Sequence, residues 1–174
     1  TICSGSSVLL TATPINSPLT GSYQWNTGDT TSSITVTPSS TQSYSVIYNL
    51  NGCPSNSVSA TVTVNPSPTA TAIGATICPG ATATVTSSVS PTGGSYLWSS
   101  GGQTTSSINV TPSISTIYTL TYTLNNCSVS DTANVIIKPI AIVVVNSDTI
   151  CNGQSALLTA TPTITGGTYL WSPG

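Results

Sequence analysis

The chain has 174 residues with one basic side chain, three acidic ones and no histidine, so its formal net charge is −2. Nucleic-acid binding is excluded because neutralising phosphates requires clustered Lys and Arg. A basic helix lying on a membrane surface is excluded for the same reason, and no apolar stretch reaches the roughly 20 residues that span a bilayer. We therefore expect neither nucleic acid nor membrane insertion among its interactions.

A repeated unit of about 74 residues organises the whole chain. Trp25, Trp98 and Trp171 follow one another at intervals of 73 residues, and residues 31–38 return almost unchanged as residues 105–112. Agreement at this many positions indicates three copies of one unit. They are a first copy at 1–66 that lacks its first strand, a complete second copy at 67–139, and a third copy at 140–174 that is truncated after its third strand.

Alternating apolar and polar residues predict short, half-buried strands in each copy. In chain order, the apolar rows of the first copy are Val8, Leu10 and Ala12; Tyr23 and Trp25; Ile34 and Val36; Tyr44, Val46, Tyr48 and Leu50; and Val58, Ala60, Val62 and Val64. The second copy repeats the last two rows with Tyr118, Leu120, Tyr122 and Leu124 and with Ala133, Val135 and Ile137. No window has a helical period. The pattern predicts an all-β chain, a tandem array of small antiparallel β-sandwich domains.

Short proline-bearing segments separate the copies, at residues 65–68 and at Lys138-Pro139. Each segment is followed by a predicted first strand, at 69–73 and at 140–145. Linkers of this kind space domains semi-rigidly. Because the copies at the two ends are incomplete, we expect the sequence to be a window on a longer chain, whose further repeats are its main partners.

Cysteine spacing predicts one disulfide within each full copy, Cys3 with Cys53 and Cys78 with Cys127, and a partner for Cys151 beyond the end of the chain. A domain of about 70 residues has a marginal core, and closing a loop of about 50 residues would stabilise it by roughly 4 kcal/mol. The alternative is a metal or redox role, but the chain has no CxxC pair and no His. We therefore expect an oxidising compartment and neither metal nor cofactor.

Aromatic residues on the predicted strands are assigned to the core. They are Trp25, Trp98, Trp171, Tyr44, Tyr48, Tyr118 and Tyr122. A Trp that follows a Tyr by two positions on a central strand is more often a core residue, because the pair shares one face of the strand. The alternative for Trp25 and Trp98 is an exposed platform on which sugars stack.

The order of motifs in the first two copies is Cys-x-Gly, Tyr-x-Trp, Ile-x-Val-Thr-Pro, Tyr-x-Val/Leu-x-Tyr and Asn-Gly-Cys or Asn-Asn-Cys, and the third copy has the first two of them. This order resembles the Ig-like and PKD-like repeats of very large surface proteins of Bacteroidota, such as gliding-motility adhesins exported by the type IX secretion route. The resemblance covers the entire chain. It implies an extracellular, cell-surface location, a role as a stalk or adhesive filament, and lateral copies of the chain or an outer-membrane anchor as partners.

All three Asp residues precede a Thr, which makes Thr30, Thr132 and Thr149 candidate glycosylation sites. The Asp-Thr pairs, each followed by Thr, Ala or Ile, are similar to the O-glycosylation motif of Bacteroidota. The alternative is that the three Asp residues form turns and accept local backbone hydrogen bonds. Two N-glycosylation sequons, at Asn109 and Asn126, have weaker support because one falls in a predicted strand and the other includes Cys127.

We expect a structural or ligand-binding role for this chain and neither a catalytic nor a calcium-binding one. Without His or Glu the chain cannot form a Ser-His-Asp relay or a Cys-His pair, so we expect no enzyme. A calcium-rigidified junction is also disfavoured, because no acidic residue lies near the first linker. The best prediction is the stalk or filament of a secreted, O-glycosylated adhesin. The alternative is a set of ligand-binding modules, but the loops between Pro14 and Ser22 and between Pro91 and Ser95 contain no aromatic residue.

Overall fold

The computed structural model describes residues 1–15 and 21–172, and every regular element within them is a β-strand. The all-β class predicted from the alternation is therefore confirmed. Residues 16–20, in the predicted loop between Pro14 and Ser22, lie outside the described residues. The strands of the first copy are β1 (Ile2–Cys3), β2 (Val8–Thr11), β3 (Ser22–Trp25), β4 (Ser33–Val36), β5 (Gln42–Leu50), β6 (Cys53–Pro54), β7 (Val58–Val62) and β8 (Val64–Asn65).

The first copy builds its sheets around the long strand β5. This strand pairs antiparallel with β3, β6 and β7, while β2 pairs antiparallel with β4 and β1 pairs parallel with β8. The inward side chains of these strands form one hydrophobic cluster. Its buried members are Trp25, Ile34, Val36, Tyr44 and Val62.

The second copy repeats this arrangement with longer strands. They are β9 (Thr69–Ile73), β10 (Ala75–Ile77), β11 (Ala83–Ser90), β12 (Ser95–Trp98), β13 (Ser107–Val110), β14 (Thr116–Leu124) and β15 (Cys127–Ile137). One sheet has the order β9-β11-β13 and the other has the order β10-β15-β14-β12. An Ig sandwich places its first, second and fifth strands in one sheet and its third, sixth and seventh in the other. The second copy matches that division when β9 and β10 are counted as two halves of one first strand, with one half in each sheet, and when the fourth strand is left out, so its architecture is Ig-like.

A second hydrophobic cluster lies between these two sheets. Its buried members are Ala83, Val85, Trp98, Ile108, Val110, Tyr118, Leu120, Ala133 and Val135. Ala70 and Ala72 of β9 pack against it from one edge. In antibody domains the Trp of the third strand packs on a disulfide between the two sheets. Here the cluster around Trp98 is aliphatic and aromatic throughout, and the cysteines lie elsewhere.

The third copy does not form a sandwich in its described residues. It contributes only β16 (Val143–Val145) and β17 (Ala160–Pro162), which pair antiparallel. Trp171 remains 50% exposed, so its assignment to the core is wrong. Trp171 lies outside the two strands of this hairpin, and no second sheet covers the hairpin in residues 140–172. The described chain is thus two cores and one hairpin and not a clear series of three closed domains, and the boundaries at 66 and 139 stay predictions.

Two hairpins place a cysteine directly at the end of the sheet. The turn between β5 and β6 consists of Asn51 and Gly52 with φ of 51° and 83°, and Cys53 follows it. In the second copy Asn125 and Asn126 have φ of 50° and 64°, and β15 begins at the next residue. Two-residue hairpin turns of this twist need positive φ at both positions, which Asn and Gly tolerate best. The Asn-Gly-Cys and Asn-Asn-Cys motifs therefore fix each hairpin tip.

Candidate functional site

The five cysteines occupy two kinds of position. Cys3, Cys78 and Cys151 each open a tight turn, in which the carbonyl oxygen of the cysteine accepts a hydrogen bond from the backbone N–H three residues later at 3.0 to 3.1 Å. We call these the turn cysteines. Cys53 and Cys127 each follow a hairpin turn, and we call them the hairpin cysteines. The first two copies thus have one cysteine of each kind, and residues 140–174 have the turn cysteine Cys151.

In the second copy the two kinds lie at opposite ends of the sandwich. Strand β10 runs parallel to β15 with Ile77 opposite Ile137, so Cys78 lies just beyond the last residue of β15. Cys127 is the first residue of the same strand. Ten residue steps of about 3.3 Å put roughly 33 Å between the two ends. A disulfide needs Cα atoms within about 7 Å, so Cys78 and Cys127 cannot bond.

The first copy has the same arrangement. Strand β1 runs parallel to β8 with Cys3 opposite Asn65, at the end from which the first linker departs. Cys53 lies twelve positions before Asn65 (65 − 53), at the hairpin tip. The predicted bonds within copies, Cys3–Cys53 and Cys78–Cys127, are therefore wrong, because each would have to span the length of a sandwich.

The disulfide that forms joins the two copies. Cys3 of the first copy bonds to Cys127 of the second, with a Cα–Cα distance of 5.7 Å across a sequence separation of 124 residues. Cys53, Cys78 and Cys151 are free and exposed. Sequence reasoning missed this bond. The available signal was that the two cysteines of a copy precede or follow turns and do not sit within facing strands, since one comes before the second strand and the other directly after a hairpin turn.

Polar contacts surround this junction. The side-chain amide of Asn65 donates to the carbonyl oxygen of Asn125 at 2.9 Å, which links the end of the first copy to the hairpin tip of the second. The hydroxyl of Ser67 in the linker donates to the carbonyl oxygen of Ser4 at 3.2 Å. A cavity of about 500 Å³ beside the disulfide is lined by Thr1, Ile2, Cys3, Asn65, Asn125 and Asn126. The described lining of this cavity has neither a charged nor an aromatic side chain.

The tryptophans of the first two copies belong to the cores and offer no sugar platform. Trp25 and Trp98 are buried, and their indole N–H groups donate to the carbonyl oxygens of Thr31 at 2.8 Å and Thr105 at 3.0 Å. Both hydrogen bonds satisfy the one polar atom that a buried Trp carries.

The predicted core tyrosines are distributed as follows. Tyr44, Tyr118 and Tyr122 are buried and Tyr48 is half-buried. Tyr48 and Tyr122 each contact a second tyrosine on the neighbouring strand, with ring centroids 5.0 Å apart for Tyr23 and 5.1 Å apart for Tyr96.

The three aspartates have different hydrogen-bond partners. Asp29 accepts from the hydroxyl of Thr27 at 2.7 Å, and Asp148 accepts from the backbone N–H of Thr149 at 2.8 Å. Asp131 accepts from the backbone N–H of Ala72 at 2.8 Å, and so ties β15 to β9 across the sandwich edge. This bond, with a further one from the N–H of Thr132, lowers the pKa of Asp131 below its ordinary value of 3.8.

The candidate modification sites are all accessible. Thr30, Thr132 and Thr149 have exposed side chains. Asn109 is also exposed, but its side-chain oxygen accepts a hydrogen bond from Thr84 at 2.8 Å, and Asn126 sits in the hairpin turn at the disulfide. Within residues 1–15 and 21–172, no group of three or more His, Cys, Asp or Glu side chains could hold a metal ion.

One apolar groove remains open in the first copy. It has a volume of about 1060 Å³ and runs between β2 and β7 over the face of β5. Its lining includes Leu10, Ala12, Trp25, Val46, Val58 and Ala60. Val58 is 66% exposed, an unusual state for a strand residue that faces a core.

A search for membrane-spanning helices in the described part of the chain finds none.

Comparisons with known proteins return structural similarity only. No protein-family model and no curated protein matches the chain. Among solved structures, the N-terminal four Ig domains of Dscam1 isoform 6.9 align with 79% of this chain and 42% of their own length, at 15% identity and a TM-score of 0.34. A chimeric titin Z1Z2-Z1Z2 tandem aligns over 79% of this chain and 94% of its own, at 18% identity and the same TM-score of 0.34. The chain thus spans less than half of the Dscam1 fragment.

Proposed function

We propose that this chain is part of the stalk or filament of a secreted bacterial cell-surface adhesin and has no catalytic role. The observation that carries the proposal is the Cys3–Cys127 bond, which fastens the first copy to the second. A tensile force along the chain would pass through this covalent bond and bypass residues 4–126, which include the whole first core and all of the second except its residues on β15. The resemblance to the repeats of gliding-motility adhesins supports a place outside the cell and export by the type IX route.

The lack of catalytic groups supports a structural role. The 174 residues contain no His and no Glu, and the three Asp residues are engaged in separate hydrogen bonds. Acid–base catalysis would need at least one titratable group placed against a substrate. A stalk needs none.

O-glycans on Thr30, Thr132 and Thr149 belong to the same proposal. The three side chains are exposed, and the chain has only four charged residues to keep it in solution. A hydrated glycan would supply solubility that charge does not. Mass spectrometry of protein from its native source tests this part: we expect hexose-bearing peptides at the three threonines, and bare threonines would contradict it.

Single-molecule pulling between the two termini tests the mechanical role. The disulfide closes a loop of 124 residue steps. At roughly 3.3–3.6 Å per residue, the oxidised chain should therefore extend about 40 nm less than the reduced chain when it is pulled. A reduced chain, or the Cys3→Ser variant, should release that length. Full release from the oxidised chain would refute a covalent path for force.

A binding assay separates the stalk from the alternative of adhesive modules. The described loop residues around Pro91 present no aromatic side chain, so we expect no saturable binding of the chain to polysaccharides. Tight binding that persists at high salt would favour the adhesive alternative.

A further inference from the structure

Each of the three free cysteines occupies a position equivalent to that of one of the two bonded cysteines, Cys3 or Cys127. Cys53 is the hairpin cysteine of the first copy, as Cys127 is of the second. Cys78 and Cys151 are the turn cysteines of the second and third copies, as Cys3 is of the first. All three are exposed.

We propose that every junction between consecutive copies is closed by the same disulfide, from the turn cysteine of one copy to the hairpin cysteine of the next. Cys53 then bonds to the turn cysteine of a copy on one side, and Cys78 to the hairpin cysteine of a copy on the other. This inference stands on the positions of the cysteines and does not depend on the stalk function.

The second linker leaves the sandwich as the first one does. At the first junction the N–H of Ser4 donates to the carbonyl oxygen of Asn65, just before the linker, at 2.9 Å. At the second, the N–H of Lys138 donates to the carbonyl oxygen of Ile77 at 2.9 Å, so Cys78 lies beside the departing chain as Cys3 does. A following copy that left through Pro139 would bring its hairpin tip to Cys78.

The chemistry is thiol–disulfide exchange with a small disulfide as the oxidant. The thiolate of one cysteine attacks the oxidant and releases one thiol, and the second cysteine then attacks the mixed disulfide and releases the other. Two protein thiols are oxidised to one disulfide while one small disulfide is reduced to two thiols. Oxidised glutathione supplies both electron-accepting sulfurs.

Three variants of the whole chain, each keeping one free cysteine, test the pairing rule. Cys78→Ser with Cys151→Ser keeps the hairpin cysteine Cys53. Cys53→Ser with Cys151→Ser keeps Cys78, and Cys53→Ser with Cys78→Ser keeps Cys151. Each is incubated with oxidised glutathione, alone and in pairs, and covalent dimers are measured on a non-reducing gel.

We expect covalent dimers only where a hairpin cysteine meets a turn cysteine, that is, when the Cys53 variant is mixed with either of the others. Each variant alone, and the mixture of the two turn-cysteine variants, should stay monomeric. Equal dimer yields in all mixtures would show unselective oxidation of exposed thiols and overturn the rule. Absence of dimers in both hairpin–turn mixtures would overturn it as well.

Discussion

Cys3 and Cys127 have Cα atoms 5.7 Å apart although 124 residues separate them in the sequence. Their bond makes the chain from the first turn to the second hairpin tip a single covalent loop, which contains every buried residue of the first cluster and all those of the second except Ala133 and Val135. Closing so long a loop restricts the unfolded chain more than a bond within either copy would.

Removing this bond should destabilise both copies together. In the chain-entropy model a loop of this length contributes about 5 kcal/mol. We therefore expect the double variant Cys3→Ser with Cys127→Ser to unfold at a clearly lower denaturant concentration than the parent chain. Cys78→Ser, which removes a free and exposed thiol, is the matched control and should leave the midpoint unchanged. Equal unfolding midpoints for the double variant and the control would contradict a stabilising bond between Cys3 and Cys127.

Equivalent tryptophans should respond differently to truncation. Trp98 is 1% exposed in the centre of the second cluster, whereas Trp171 is 50% exposed. Trp98→Ala should cost about 3–5 kcal/mol, the usual range for emptying a core site of an aromatic side chain. Trp171→Ala should change the free energy of unfolding very little. A large loss from Trp171→Ala, measured by urea denaturation, would mean that the third copy is packed.

Two equivalent glycines give a second matched pair. A Cβ on Gly94 would collide with the carbonyl oxygen of Thr123 and come within 2.8 Å of the Tyr122 hydroxyl, which Gly94 also contacts through its N–H. Gly167, 73 positions later, has no atom within 4 Å of such a Cβ. Gly94→Ala should thus destabilise the chain by roughly 1–3 kcal/mol through overpacking, and Gly167→Ala should not. Thermal unfolding of both variants decides the point.

Asp131 should make stability depend on acid pH. Its folded-state pKa is lowered, chiefly by the hydrogen bond from the N–H of Ala72. The stabilisation is therefore fully present above the unfolded value near 3.8 and is lost as pH falls through the lower folded-state pKa. We expect Asp131→Asn to melt below the parent chain at pH 7, and the gap to close in strong acid. A gap that widens in acid would reverse the assigned sign.

Many of the strands were predictable because each one depends on the alternation of apolar and polar residues close together in the sequence. Alternation placed Trp25 and Trp98 on inward faces, and the structure adds that the Asn-Gly and Asn-Asn pairs form the hairpin turns before Cys53 and Cys127. These features depend on two or three neighbouring residues and on the period of a strand.

The disulfide pairing was not predictable in that way. It depends on which end of a sandwich each cysteine reaches, and hence on the parallel pairing of β10 with β15 and of β1 with β8. Sequence proximity favoured Cys3–Cys53, although the two residues lie at opposite ends. The predicted burial of Trp171 is wrong for a related reason, since Trp171 lies in no strand and no second sheet covers the strands of residues 140–172.

The most direct test of the disulfide between the two copies is disulfide mapping of the unreduced chain. Digestion with chymotrypsin and a protease that cleaves before Asp isolates Cys3, Cys127 and Cys151 on separate peptides, and leaves Cys53 and Cys78 together on another, because no Tyr, Trp, Leu or Asp lies between them. We predict that the peptide with Cys3 is linked to the peptide with Cys127. A link from either of them to the peptide that carries Cys53 and Cys78 would contradict the account, whichever of those two cysteines it used.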